Sequence, residues 1–202
     1  AKRWADTVIQ YKNELQAYET ELLSKTGIRD SVQFVKDLNK LQEYAKAYGD
    51  DYLDLARAFA NPNSRVGSQA RNLFDKYNIF DNCNNDYFQQ WEKENCDNKL
   101  KRDVTQIATV QESNKMVEKS AKNLDDLSKK ISNTQDIKES QDIANAINME
   151  IAQLQIVAMK MDMMAKQNEA EQRAEEDQKL KDYESKKGKH IDFSEMNWSI
   201  KK

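Results

Sequence analysis

Residues 4–22 read WADTVIQYKNELQAYETEL, and the apolar positions Trp4, Val8, Tyr11, Leu15, Tyr18 and Leu22 recur at spacings of 4, 3, 4, 3 and 4. On a helix this pattern puts all six on one stripe, a heptad seam. The signature returns after Leu100. Ile107, Val110, Asn114, Val117, Ala121, Leu124, Ser128 and Ile131 alternate by 3 and 4, and so do Ile137, Ser140, Ala144, Ile147, Ile151, Leu154, Ala158, Met161 and Ala165. Ser132-Asn133-Thr134 makes a connection of two or three residues between the two helices. A link that short turns the next helix back antiparallel, and Thr134 is placed to cap it. Met149, Ile156, Val157, Met159, Met163 and Met164 add apolar surface off the last seam. A helix apolar on more than one side has more than one neighbour, so this one is expected at the centre of the fold. The expected fold is all-α: an elongated three-helix antiparallel bundle with a smaller helical globular appendage.

Composition supports that reading. The chain has 202 residues, with four Gly and one Pro where an average chain would carry about 24 of the two together. So few turn-formers argue against all-β and α/β folds, whose many connections need them. The 33% of charged and 38% of hydrophobic residues suit solvated helices with narrow apolar stripes. A net charge of −3 gives no electrostatic reason to bind nucleic acid. No stretch of about 20 residues is free of charge, so no transmembrane segment is expected.

Residues 28–100 interrupt the seams. Asp30 opens a helix with Gln33 as its capping-box partner, and that helix carries Phe34, Val35, Leu38, Leu41, Ala45 and Tyr48 before Gly49. A third helix is expected through Tyr52, Leu55, Ala56 and Phe59, ended by Asn61-Pro62-Asn63-Ser64. Short helical pieces follow at Ser68–Tyr77 and Asp86–Glu94. The expected organisation is a bundle from 1–27 and 101–185, an appendage over 28–100, and a tail over 186–202. Gly27 can take the left-handed position that ends the first helix. The tail holds Ile191, Phe193, Met196, Trp198 and Ile200 beyond a strongly charged run, and either packs back or docks on a partner.

The catalytic inventory is thin. His190 is the only histidine, which removes the Glu-x-x-His di-iron and His-Glu-x-x-His zinc patterns. Scattered glycines make no phosphate loop. No catalytic residue, metal site or cofactor is expected, and most carboxylates read as solvated helix faces. Met159, Met161, Met163 and Met164 read as core filling before they read as a binding surface.

Tyr87, Phe88 and Trp91 are either the appendage's own small core or a protein-binding patch, since exposed aromatics anchor interfaces. Asn197-Trp198-Ser199 matches a glycosylation sequon, a weak signal. The two cysteines, Cys83 and Cys96, are either unrelated thiols or a disulfide, which an even count and export would favour. Thirteen residues of continuous helix would hold their Cα atoms about 20 Å apart, so a bridge requires the chain to double back. The Asn-rich flanks Asn82-Cys83-Asn84-Asn85 and Asn95-Cys96-Asp97-Asn98 look turn-like and allow that. A start at Ala1 fits cleavage behind a small residue, or simple trimming.

The opening WADTVIQYKNELQAYETELLSKTGIRD, a Gln/Tyr/Leu-rich helix running into Thr26-Gly27-Ile28-Arg29, resembles the N-terminal pattern of the minor pilus subunit of VirB-type type IV secretion systems, the fifth component of that operon. The later SQDIANAINMEIAQLQIVAMKMDMMAKQNEAEQRAEEDQK resembles that family's C-terminal helix, and the likeness is close to the conjugative-plasmid branch. The likeness spans nearly the whole chain and is weakest over 60–100. It implies a non-enzymatic subunit with a cleaved signal peptide, located in the periplasm and then at the pilus, near its tip. Its implied partners are the major pilin, other pilus or secretion-channel subunits, and a receptor on the recipient cell. A cytosolic coiled-coil adaptor or chaperone subunit is the alternative that heptads alone would allow.

Overall fold

The seams do form helices. The computed structural model describes residues 2–47, 61, 63–134 and 136–187, with side chains from residue 5 onward except at 82, 182, 186 and 187. Every regular element among these residues is helical: α1 (Lys2–Thr26), α2 (Ser31–Ala47), α3 (Arg65–Lys76), a short 3₁₀ helix (Ile79–Cys83), α4 (Gln90–Ile131) and α5 (Ile137–Lys187). The helix expected around Tyr52–Phe59, the side chain of Trp4, and the tail with His190, Trp198 and the sequon lie outside the described residues. The chain divides into two compact units, Ala1–Met159 and Lys160–Lys202.

In the first unit, α1 presents Val8, Leu15 and Leu22 as its buried stripe, with Tyr11 and Tyr18 half-buried beside it. Gly27 ends the helix at φ 69°, a left-handed conformation that costs glycine nothing. Asp30 then caps α2: its Oδ1 accepts from the Gln33 N–H at 3.1 Å. The reciprocal half of the expected capping box is absent, because the Gln33 amide donates instead to Asp37 Oδ1 at 3.1 Å. α2 buries Phe34, Leu38, Leu41 and Ala45. Ser64 caps α3 by accepting from the Gly67 N–H at 3.0 Å.

α4 is the helix on which several of the other elements meet. α1 packs on it most extensively, and α2 and the 3₁₀ helix also contact it. Tyr18 hydroxyl to Gln106 Oε1 (3.2 Å) and Lys12 to Glu118 (3.2 Å) fix α1 antiparallel to α4. Gln42 Nε2 donating to the Ala108 carbonyl (2.7 Å) and Lys46 paired with Glu112 (2.9 Å) fix α2 parallel to it. From Asp103 to Val110 every residue except Thr105 is buried. A helix enclosed on nearly all sides is a central helix, so α4 occupies the position expected for α5. The buried hydroxyl of Thr109 is satisfied within α4, donating to the Thr105 carbonyl at 3.0 Å.

α5 lies antiparallel to α4 within the first unit. Ser120 Oγ meets Gln153 Oε1 at 3.3 Å, and Asn123 Nδ2 donates to Glu150 Oε1 at 2.7 Å. Its buried line differs from the expected seam: Ile143, Leu154 and Val157 are buried, whereas Ile137 and Ala144 are exposed. Met149, Ile156 and Met159 also face solvent rather than a second neighbour. Asp136, not Thr134, caps the helix, accepting from the Lys138 N–H at 2.8 Å. The second unit is helical as far as Lys187. It carries intrahelical ion pairs at the i,i+4 spacing, Lys166–Asp162 (2.6 Å) and Arg173–Glu169 (3.5 Å). Such exposed pairs contribute a few tenths of a kcal/mol each.

Leu15 has no exposed surface and sits on the α1–α4 face. Leu15→Ala should therefore lower unfolding free energy in urea by about 2–5 kcal/mol, while Ile137→Ala, 78% exposed, should change it by less than about 0.5 kcal/mol. Equal effects for the two would contradict this placement of the core.

Candidate functional site

Two surface features stand out on the α2–α4 portion of the first unit. The first is the segment between the two cysteines. Cys83 and Cys96 are joined in a disulfide, with Cα atoms 5.5 Å apart. The chain does double back between them, but in one place only: the reversal lies between Cys83 and Gln90, and Cys96 sits inside α4. The Asn95-Cys96-Asp97-Asn98 stretch is thus helical, not a turn. The helix expected over Asp86–Glu94 begins only at Gln90 and is continuous with the next run to Ile131.

Local hydrogen bonds shape the reversal. The Tyr87 N–H donates to Asn85 Oδ1 (3.1 Å) and the Phe88 N–H to the Asn85 carbonyl (3.0 Å). The Gln89 N–H donates to Glu92 Oε2 at 2.7 Å, which closes the first turn of α4. Tyr87 is 93% exposed, Phe88 and Trp91 38% each. None of the three is a core residue. Trp91 directs its Nε1–H to Gln89 Oε1 at 2.8 Å. The appendage's aromatic core is built by other residues: Phe74 stacks on Phe80 at 4.8 Å, and Phe34 meets Tyr77 edge-on at 5.2 Å. Buried Ile79 and Cys83 hold the 3₁₀ helix against them.

The second feature is a groove of about 380 Å³ between α2 and α3, lined by Asp37, Lys40, Tyr44, Asn72 and Lys76 among others. Asp37 is its electrostatic hub, although nothing in its sequence context sets it apart from other helix-surface carboxylates. Its carboxylate accepts from Lys76 Nζ (2.5 Å), the Tyr77 hydroxyl (2.9 Å) and the Gln33 amide (3.1 Å). Those hydrogen bonds, led by Lys76, pull its pKa down to about 2. A carboxylate so strongly stabilised is a poor base; its role is to tie α2 to the C-terminal end of α3. Burial and the Asp37 bond push the Tyr77 hydroxyl upward. Near the disulfide, burial pushes the Asp97 carboxyl upward, with Lys101 opposing and Glu94 adding to the shift. Among the described residues no cluster of His, Cys, Asp and Glu could hold a metal ion, and no helix is long and apolar enough to cross a membrane.

A family model described as type IV secretion system proteins matches residues 1–180. The chain belongs to that family. No curated protein and no solved structure matches it significantly. The match covers both the α1–α4 core and the segment that carries Tyr87, Phe88 and Trp91. This type IV secretion protein therefore presents its exposed aromatic residues inside the family's matched region, not on an added extension.

Two outcomes follow. Asp37 stabilises the fold fully above its ordinary pKa of 3.8, and that contribution is lost as pH falls through about 2. Asp37→Asn should lower the thermal midpoint by a few degrees near neutrality, and the gap to wild type should close between about pH 4 and pH 2. A gap independent of pH would contradict the hub. Reducing the Cys83–Cys96 bridge should lower unfolding free energy by about 3 kcal/mol, as expected for a closed loop of this length, read from urea curves with and without reductant.

Proposed function

We propose that this chain is a minor pilus component of a VirB-type type IV secretion system, of the conjugative-plasmid branch, which supports pilus assembly and contact with the recipient cell. The observation that carries the reading is the exposed trio Tyr87, Phe88 and Trp91, held on a disulfide-closed reversal in a chain of the type IV secretion family. Exposed large aromatics of this kind anchor interfaces. The Cys83–Cys96 bridge favours an oxidising compartment over the cytosol, which supports export to the periplasm and the pilus after signal-peptide cleavage.

In this reading the subunit is non-enzymatic and works as a spacer with a contact head. α1, α4 and α5 act together as an antiparallel three-helix bundle, and the region 28–100 is the head. The bundle engages the major pilin and other pilus or channel subunits, and the aromatic patch engages the recipient surface. The antiparallel pairings of α1 with α4 and of α4 with α5 support the bundle.

Trp91→Ala should lower transfer to recipients and attachment to them about tenfold, with helix content by circular dichroism unchanged. Tyr87→Ala, at a side chain almost wholly in solvent, provides a second variant free of folding effects. Wild-type transfer in both variants, or loss of helix content in Trp91→Ala, would contradict the assignment of this patch.

A further inference from the structure

We infer that the segment Asn84–Trp91 recognises a neutral carbohydrate on the recipient surface through its aromatic rings and side-chain amides. The inference rests on the reading of this patch as the contact surface and names the chemistry of its partner.

Three observations lead to it. First, composition: residues 84–91 are Asn-Asn-Asp-Tyr-Phe-Gln-Gln-Trp, three aromatics and four amides in eight positions, and every one of them is exposed. An aromatic ring carries negative charge density on its face. The C–H face of a pyranose is weakly positive and apolar, so the two stack. An amide side chain offers a donor and an acceptor side by side, which matches a pair of neighbouring hydroxyls.

Second, charge. Asp86 is the only charged residue in the segment, and it contains no Lys, Arg or His. The next cation along the chain, Lys93, is half-buried. Phosphates, sulfated sugars, nucleic acids and anionic lipid surfaces are bound by clustered cations, and none is present here. The segment also has no Arg, Met or aliphatic side chain, the residues that accompany aromatics in the core of a protein–protein interface. A neutral, hydroxyl-rich ligand is the complement of what remains.

Third, preorganisation. The Cys83–Cys96 bridge closes the reversal, Asn85 holds the Tyr87 and Phe88 backbone, and Gln89 accepts from the Trp91 indole. The ordering cost of the patch is therefore largely met before any ligand arrives. The Tyr87 hydroxyl, Asn85 Nδ2 and Gln89 Nε2 have no hydrogen-bond partner among the described residues and are available to a ligand.

The test uses the oxidised full chain on a printed array of neutral glucan, galactan, mannan and N-acetylglucosamine oligosaccharides beside sulfated and sialylated ones. Binding confined to neutral sugars, weakened about tenfold or more by Trp91→Ala and by Tyr87→Ala, is the expected result. No binding, binding only to anionic sugars, or binding unaffected by both variants overturns the inference. Attachment to recipient cells separates the two readings. Periodate, which cleaves vicinal diols, should abolish attachment, whereas surface proteolysis should leave it. Loss on proteolysis alone would mean a protein receptor and would sink the carbohydrate inference while leaving the contact patch intact. Attachment unchanged in both variants would sink the contact patch itself.

Discussion

The enclosure of Asp103–Val110 of α4 by its neighbours is the constraint from which the rest of the first unit follows. α1 runs down one side of this band and α2 up another, and their termini meet at Gly27–Asp30. The band carries Val104, Ile107 and Val110, all without exposed surface, opposite α1 and α2 residues equally buried. Burying such side chains contributes about 1.5–3 kcal/mol each before entropy is counted. The band's central place also explains the polar residues within it. Gln42 is buried because the Ala108 carbonyl, already in the helix ladder, has a second lone pair to offer.

From that anchor α4 extends back to Gln90 and carries Cys96 with it. The bridge to Cys83 then fixes the 3₁₀ helix beside α4, and the intervening reversal has to project outward. Phe74, Phe80, Phe34 and Tyr77 fill the interior of the appendage among themselves. Tyr87, Phe88 and Trp91 are left in solvent by that filling.

Much of this was legible in the sequence. Val8, Leu15 and Leu22 lie where the heptad put them, and Phe34, Leu38, Leu41 and Ala45 form the buried line of α2, because a clean stripe opposite charged faces has one way to be buried. The all-helical character followed from the same periodicity. α5 was harder. Its apolar residues occupy two overlapping heptad lines, and only packing chooses the one containing Ile143, Leu154 and Val157. α4 misled for another reason: Asn95, Asp97 and Asn98 are poor helix formers, yet the anchored helix and the bridge override local propensity. Gln42 and Asp37 look like ordinary surface residues in the sequence, and their partners lie 66 and 39–40 positions away. The three exposed aromatics could not be told from a core until their neighbours had filled the interior.

A rigid anchor with an outward-facing reversal is the physical basis of the functional reading, as membership of the type IV secretion family is its context. Residue-level amide hydrogen exchange on the oxidised full chain tests it most directly. The account predicts that amides of 104–117 in α4 open only with global unfolding, while the Tyr87 and Phe88 amides, hydrogen-bonded to Asn85 at the surface, exchange through local openings, slower than an unprotected chain but well before global unfolding. Fast exchange through 104–117, or exchange of the Tyr87 and Phe88 amides at the rate of an unprotected chain, would contradict it.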